Sequence, residues 1–432
     1  MTGQPTGQPI GQPALARRLG TADAVVIGLG SMVGAGVFAA FGPAARAAGS
    51  ALLVGLALAA VVACCNATAS AQLAAQYPTS GGTYVYGRER LGPWWGFLAG
   101  WGFVVGKTAS CAAMALTFAA YVAPGPWERP VGAVAVVALA AVNYRGVTRT
   151  ARLTRVIVTV VLAVLAVVVL ACLVGGQASV AHLTQPYAGP LGGCYGTLQS
   201  AGLLFFAFAG YARIATMGEE VRDPRRVIPR AVMLALGVAV AVYAVVGVSA
   251  LLVLGPTRLG VAAAPLAAAV GAGGWSWAVP LVRVGGALAS LGALLALIAG
   301  LGRTTLAMAR ERDLPGWLDA VHPRYRVPHR AEVAVAAVVV VLVLAVDLRG
   351  AIGFSSVGVL TYYLVANLAA LTQTGEWRRF PGWLQVLGAA GCVVLVATLP
   401  VSAVVVGVGV FAAGVLLRLV TRRVRASRTT GS

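Results

Sequence analysis

Apolar residues do not alternate with polar ones along this chain. They run on for twenty positions or more before a short polar stretch interrupts them. The segment from Val156 to Val174 carries no charge at all. A helix needs roughly 20 apolar residues to cross a bilayer, and runs of that length recur. They predict helical spans at 21–48, 50–74, 94–123, 130–147, 152–175, 197–218, 227–254, 275–303, 331–347, 351–373, 382–399 and 401–419, the last two parted by a tight turn near Pro400. The expected fold class is an all-α integral membrane protein of about twelve transmembrane helices.

Composition sharpens this. Of 432 residues, 59% are hydrophobic and 10% charged, against about 25% charged in soluble domains. Lipid must therefore be the solvent for most of the surface, and the length leaves no room for a sizeable soluble domain. The net charge of +20 raises the question of nucleic acid, but 31 of the 32 basic residues are arginines, mostly in short loops between apolar runs. No nucleic-acid partner is expected. With the N-terminus placed inside, Arg17, Arg18, Arg88, Arg90, and the arginines of 145–155, 222–230, 303–330, 378–379 and 418–428 all fall on the cytoplasmic side. Only Arg46, Arg129, Arg258 and Arg349 fall on the other. That asymmetry follows the positive-inside rule and requires an even number of spans, with both termini cytoplasmic in a cell membrane.

Two long connectors match each other in position: 77–93 after the second span and 255–274 after the seventh. Five spans then match the next five in layout, upside down, an inverted repeat. The expected division is a disordered N-terminus (1–16), a first five-helix repeat (17–175), a second (176–373), two additional helices (374–420) and a basic tail (421–432). The tail and the thrice-repeated GQP at the start cannot pack a core, and the first apolar stretch is too long for a cleavable signal. Cys64, Cys65, Cys111, Cys172, Cys194 and Cys392 lack metal-ligand spacing and read as small buried hydrophobes. His182, His322 and His329 lie in loops. No metal site and no cofactor are expected, beyond a coupling H+ or Na+.

The first span contains Gly28, Gly30, Gly34 and Gly36, poor helix in any solvent. In lipid, unwinding is tolerated only where freed backbone groups line a cavity or find partners. The sixth span has Gly210 at the corresponding depth. Paired glycine breaks point to a carrier's binding site; the competing reading is helix packing, since Gly30 and Gly34 also form GxxxG.

The run Gly30-Ser-Met-Val-Gly34-Ala-Gly36-Val-Phe38, then Tyr77-Pro-Thr-Ser-Gly81-Gly-Thr-Tyr84, Phe206-Ala-Phe-Ala-Gly210, Glu219-Glu-Val-Arg-Asp-Pro224 and Ala307-Met-Ala-Arg310 before Leu314-Pro315 resemble the amino acid–polyamine–organocation (APC) superfamily of permeases. The resemblance runs from about residue 17 to 420. It implies a five-plus-five inverted-repeat core with two extra helices, working as a secondary transporter by alternating access. The amides of Ala35 and Gly36 would hold a substrate carboxylate. Ser31, Val33, Gly34, Phe206, Ala207, Ala209 and Gly210 would complete the substrate site, and Ser290 matches a cation-ligand region of sodium-coupled relatives. Two positions depart from the family: Val161 stands where several proton-coupled members carry lysine, and Ala212 where an acid is common.

Lys107, the one lysine, lies midway along the third span. An ammonium there is costly unless paired or deprotonated, so it is a candidate for proton coupling, or else a structural bond to carbonyls of a broken helix. Arg213 is a candidate inner gate with Glu219 or Glu220, and Arg283 is expected near the outer vestibule. All twelve acids lie at span ends or in loops, which leaves a cationic cargo without a partner charge. The expected substrate is thus a neutral amino acid. The alternatives are a polyamine or organic-amine exchanger of the same fold, an intramembrane enzyme and a channel. No histidine or carboxylate lies at depth for an enzyme, and no repeated polar lining suggests a channel. The oligomeric state is left open.

Overall fold

A computed structural model describes residues 19–79, 81–146, 151–185 and 193–429, with side chains described to Val420 except at Ala151. The expected disordered segment 1–16, Arg17, Arg18, part of the 145–155 arginine loop and the end of the basic tail lie outside them. In chain order the helices are α1 (Thr21–Met32), α2 (Ala35–Ala39), α3 (Phe41–Ala48), α4 (Leu52–Gln76), α5 (Thr83–Leu91), α6 (Pro93–Val122), α7 (Glu128–Tyr144), α8 (Ala151–Val174) and α9 (Ala181–Thr184). Then follow α10 (Cys194–Phe208), α11 (Ala212–Ala215), α12 (Pro224–Val261), α13 (Pro265–Ala272), α14 (Val279–Arg310), α15 (His329–Ala345), α16 (Leu348–Leu371), α17 (Gly382–Thr398) and α18 (Val401–Thr429). Proline opens α6, α12 and α13, where its missing N–H costs no hydrogen bond. Asp347 Oδ1 accepts the Gly350 amide at 3.0 Å to cap α16.

Among the described residues nine helical segments are long and apolar enough to cross a membrane. Three further helices, α7, α15 and α17, are 17 residues each. Their outward faces carry bare aliphatic side chains: Val134 is 68% exposed, Val341 62% and Val386 55%. Water would penalise such a surface, whereas hydrocarbon is its natural solvent. The chain is a multi-pass membrane protein.

Several spans depart from the expected boundaries: the eighth, expected to stop at 303, runs on to Arg310, and the twelfth, expected to stop at 419, to Thr429. The first, expected as 21–48, is divided into α1, α2 and α3. The seventh, expected to stop at 254, runs on to Val261 across a kink where Gly255 takes φ 66°, just before Pro256. Gly255 turns the chain because no β-carbon obstructs that backbone, and proline cannot donate the bond that would straighten it. Each of the two long connectors encloses a short helix, α5 in one and α13 in the other.

Small residues let helices meet backbone to backbone, as lipid-embedded packing favours. A β-carbon on Gly106 would lie 3.0 Å from Gly358 Cα, so α6 and α16 touch along this line. One turn on, the Ser110 and Ser355 hydroxyls lie 2.6 Å apart. At the arginine-rich end Asp313, 3% exposed, gathers Arg418 at 2.7 Å, Arg88 at 3.6 Å and the Tyr84 hydroxyl at 2.9 Å. Arg418 also lies over the rings of Trp94 and Phe97, at 4.4 and 4.6 Å. Burial and the adjoining carboxylate raise the Tyr84 pKa, which keeps that hydroxyl a donor.

Candidate substrate site at the paired helix breaks

The first span breaks at two residues. The α1 helix ends at Met32; Val33 leaves helical geometry, Gly34 is neither helical nor extended (φ −80°, ψ −132°), and α2 starts at Ala35. Beyond the break the helix is nearly continuous, since Ala40 keeps helical angles between α2 and α3. Ala35 and Gly36 therefore sit at the N-terminal end of a half-helix, where amides lack intrahelical partners and the dipole favours negative charge. Gly28 and Gly30 stay helical. Their lack of a side chain serves packing: a β-carbon on Gly30 would lie 3.0 Å from Val158 and 3.2 Å from Thr154. Of the four glycines the unwinding takes one, Gly34.

The sixth span tightens instead of opening. Between α10 and α11, Ala209 to Tyr211 form a single 3-10 turn. Such a turn inside a helix leaves its hydrogen bonds less well formed and often marks a hinge.

The two breaks lie against each other. A β-carbon on Gly36 would come 2.7 Å from Ala207 Cα, and one on Gly210 would fall on the Ser31 carbonyl. Ser31, Val33, Gly34, Ala35 and Gly36 are thus brought together with Ala207, Ala209 and Gly210, with Phe206 next along α10. Val33 and Phe206 are 3% and 7% exposed. Ser31 donates to Ile27 O at 3.0 Å within its own helix. On the third side, a β-carbon on Gly34 would lie 2.8 Å from Ala293 and 3.5 Å from the Ala289 carbonyl. Ser290, beside Ala289 in α14, is buried with its hydroxyl unpartnered.

Carbonyls loosened by the breaks are gathered by side chains from elsewhere. The Tyr243 hydroxyl in α12 lies 2.6 Å from Met32 O and 3.0 Å from Ala207 O, joining the two broken spans. Lys107 donates to Ala209 O at 3.1 Å, and the Tyr363 hydroxyl reaches the same oxygen at 3.4 Å. Among the described residues no carboxylate lies within ion-pair distance of Lys107. Tyr121 in α6 donates to Phe38 O at 3.1 Å and accepts the Leu266 amide at 3.3 Å, tying the half-helix to α13.

Sequence reasoning missed the three tyrosines. The signal was present: each is an aromatic with a polar tip inside an apolar run, and a buried hydroxyl seeks a partner.

Arg213 lies beyond the turn, away from the cluster, 3.8 Å from Glu220 and 3.4 Å from the Thr216 hydroxyl. Close by, Leu19 pairs with Val221 in a single parallel bridge, joining the start of the first span to the loop after the sixth. Arg155 and Asp23 form an ion pair between α8 and α1. Arg283 lines a separate cavity of about 370 Å³ with Ala120, Pro124 and Ala267. No three His, Cys, Asp or Glu side chains among the described residues gather as a metal site requires.

The sequence model described as "Amino acid permease" matches residues 23–422. A Mycobacterium tuberculosis protein named "uncharacterized transporter" is 61% identical over 416 residues, which is 95% of this chain and 93% of that one. The branched-chain amino acid permease of Bacillus subtilis is 25% identical over 382 residues, 83% of this chain and 81% of its own. Chloroplastic cationic amino acid transporter 7 of Arabidopsis thaliana is 28% identical over 379 residues, 82% of this chain and 65% of its own. The family and the relatives' names indicate a transporter, not an enzyme.

Proposed function

The chain belongs to the amino acid permease family, and from that premise we propose that it is a secondary carrier of neutral amino acids, working by alternating access in the cell membrane. The observation that carries the proposal is the meeting of the Val33–Gly34 break with the Ala209–Tyr211 turn. Unpaired amides at Ala35 and Gly36 suit a carboxylate, and the carbonyls of Val33 and Phe206 suit an ammonium. A zwitterion needs both at once. An aliphatic side chain would lie among Val33, Phe206 and Ala207.

A cationic side chain or a polyamine finds no counter-charge here. The twelve carboxylates all lie at helix ends, in the first turns of helices or in connecting segments, and Lys107 stands on the sixth-span turn with its own positive charge. The nine long segments together with α7, α15 and α17 support a reading of twelve crossings, and the arginine-rich loops support cytoplasmic termini. The enclosed helices α5 and α13 support a five-plus-five inverted repeat with two added helices.

A proton is the coupling ion we favour. With its ammonium intact Lys107 holds Ala209 O; on giving up the proton it becomes a weaker donor and releases the turn. Sodium, with the Ser290 hydroxyl as one ligand, is the competing choice.

The test is counterflow into proteoliposomes preloaded with each of leucine, alanine, lysine, glutamate and putrescine. Saturable exchange of labelled neutral amino acids, unaffected by external sodium and driven by an inward proton gradient, is expected. Exchange confined to lysine or putrescine overturns the neutral assignment, and sodium dependence overturns the proton.

A further inference from the structure

Away from the crossed breaks, α6, α14, α15, α16 and α18 enclose an apolar crevice of about 560 Å³. On α15 its lining runs from Ala334 to Val346, about 18 Å at the helical rise. One leaflet of a bilayer's hydrocarbon core is about 15 Å thick. Spread over that length, 560 Å³ gives a bore of roughly 9 Å once the ~1.4 Å radius of a water is added at each wall, below the about 10–12 Å that a helix with its side chains needs. The crevice admits a hydrocarbon chain and excludes a helix from a second copy.

The end nearest the arginine-rich face is not wholly apolar. Thr305 lines the crevice, is 3% exposed, and its hydroxyl has no partner. It stands five residues, about 8 Å, before the arginine-rich end of α14. Beyond it Leu314, Pro315 and Leu318 form the mouth. Arg310, Arg312 and Arg330 are exposed around this segment, and Arg330 is within 3.5 Å of the carbonyl of Trp317, itself 54% exposed. Aromatic and basic residues together mark the headgroup level, and basic pockets between spans on that side suit anionic lipid.

We propose that this crevice is a binding site for one anionic phospholipid of the arginine-rich leaflet. Its acyl chain fills the bore between α6, α15 and α18, its ester carbonyl accepts from the Thr305 hydroxyl, and its phosphate faces Arg310 and Arg330. The site is independent of the cargo.

The test uses the full chain in nanodiscs containing phosphatidylglycerol with a photoreactive diazirine near the acyl terminus, in a phosphatidylcholine background. Labelling of crevice residues of α15 and α18, such as Val338 and Val406, at least tenfold above the outward-facing Val134 and Val137 of α7, is expected. Val338→Trp, which fills the bore, should abolish that labelling, and Val333→Trp, on the exposed side of α15, should leave it unchanged. Arg310→Ala with Arg330→Ala should remove the preference for phosphatidylglycerol over a diazirine-bearing phosphatidylcholine. Even labelling over all lipid-facing helices of the unsubstituted protein overturns the proposal, as does cross-linking of two copies through this face. A failure of amino acid counterflow alone leaves this labelling unaffected, so the two readings fail separately.

Discussion

The first and sixth spans interrupt their helices at corresponding depth but by different means. In the first, Gly34 leaves helical geometry and the chain restarts as a new half-helix with amides to spare. In the sixth, the backbone only tightens through Ala209–Tyr211, and the loosened Ala209 carbonyl is held by Lys107 and Tyr363. One break offers donors and waits for a ligand; the other offers acceptors that the protein already occupies. The pair is therefore not a symmetric clamp. On the proposed reading, the first span binds and the sixth is released.

Substitutions can break that distinction, beginning with the most severe. Gly36→Val would push the half-helix off Ala207, since even a β-carbon has only 2.7 Å. Counterflow should fall at least a hundredfold, and Gly28→Ala, which presses on the movable end of Ile214, should cost far less.

Lys107→Met should cut proton-driven accumulation about tenfold while counterflow without a gradient falls less than threefold. Full accumulation in this variant would reduce Lys107 to a structural clasp on Ala209. Tyr243→Phe removes a hydroxyl shared by both spans. A buried hydrogen bond is worth about 1 kcal/mol net, so a drop in counterflow of roughly fivefold should appear, with folding retained by size-exclusion chromatography. Tyr363→Phe, at the longer 3.4 Å contact, should have the smallest effect, about twofold. If it exceeds Tyr243→Phe, the sixth-span turn depends more on Tyr363 than on the bridge between spans.

Much of this was legible in the sequence, because lipid imposes a strict rule on the chain. Long apolar runs report helices, and arginine-rich loops report a side. The glycine cluster likewise located the first break. It did not say which glycine would unwind, since Gly28 and Gly30 answer to neighbours on α11, α12 and α8 that spacing along one span cannot reveal. The Tyr243 bridge depends on a third helix passing both breaks, and nothing local to Met32 or Ala207 encodes it. In the sequence Arg418 is one more cytoplasmic arginine, whereas its carboxylate partner, Asp313, lies three whole helices earlier, before α15, α16 and α17.

That distant pairing bears on how the molecule is made. A ribosome delivers Asp313 to the membrane long before it delivers Arg418, so until the last helix arrives an acidic group waits at the bilayer edge with Arg88 and Tyr84 as its company. Without Arg418 the carboxylate loses the shorter of its two ion pairs, 2.7 Å against 3.6 Å to Arg88. Chains cut short ahead of residue 418 should then be recognised as unfinished and degraded, even though every helix of the crossed-break cluster has already been synthesised.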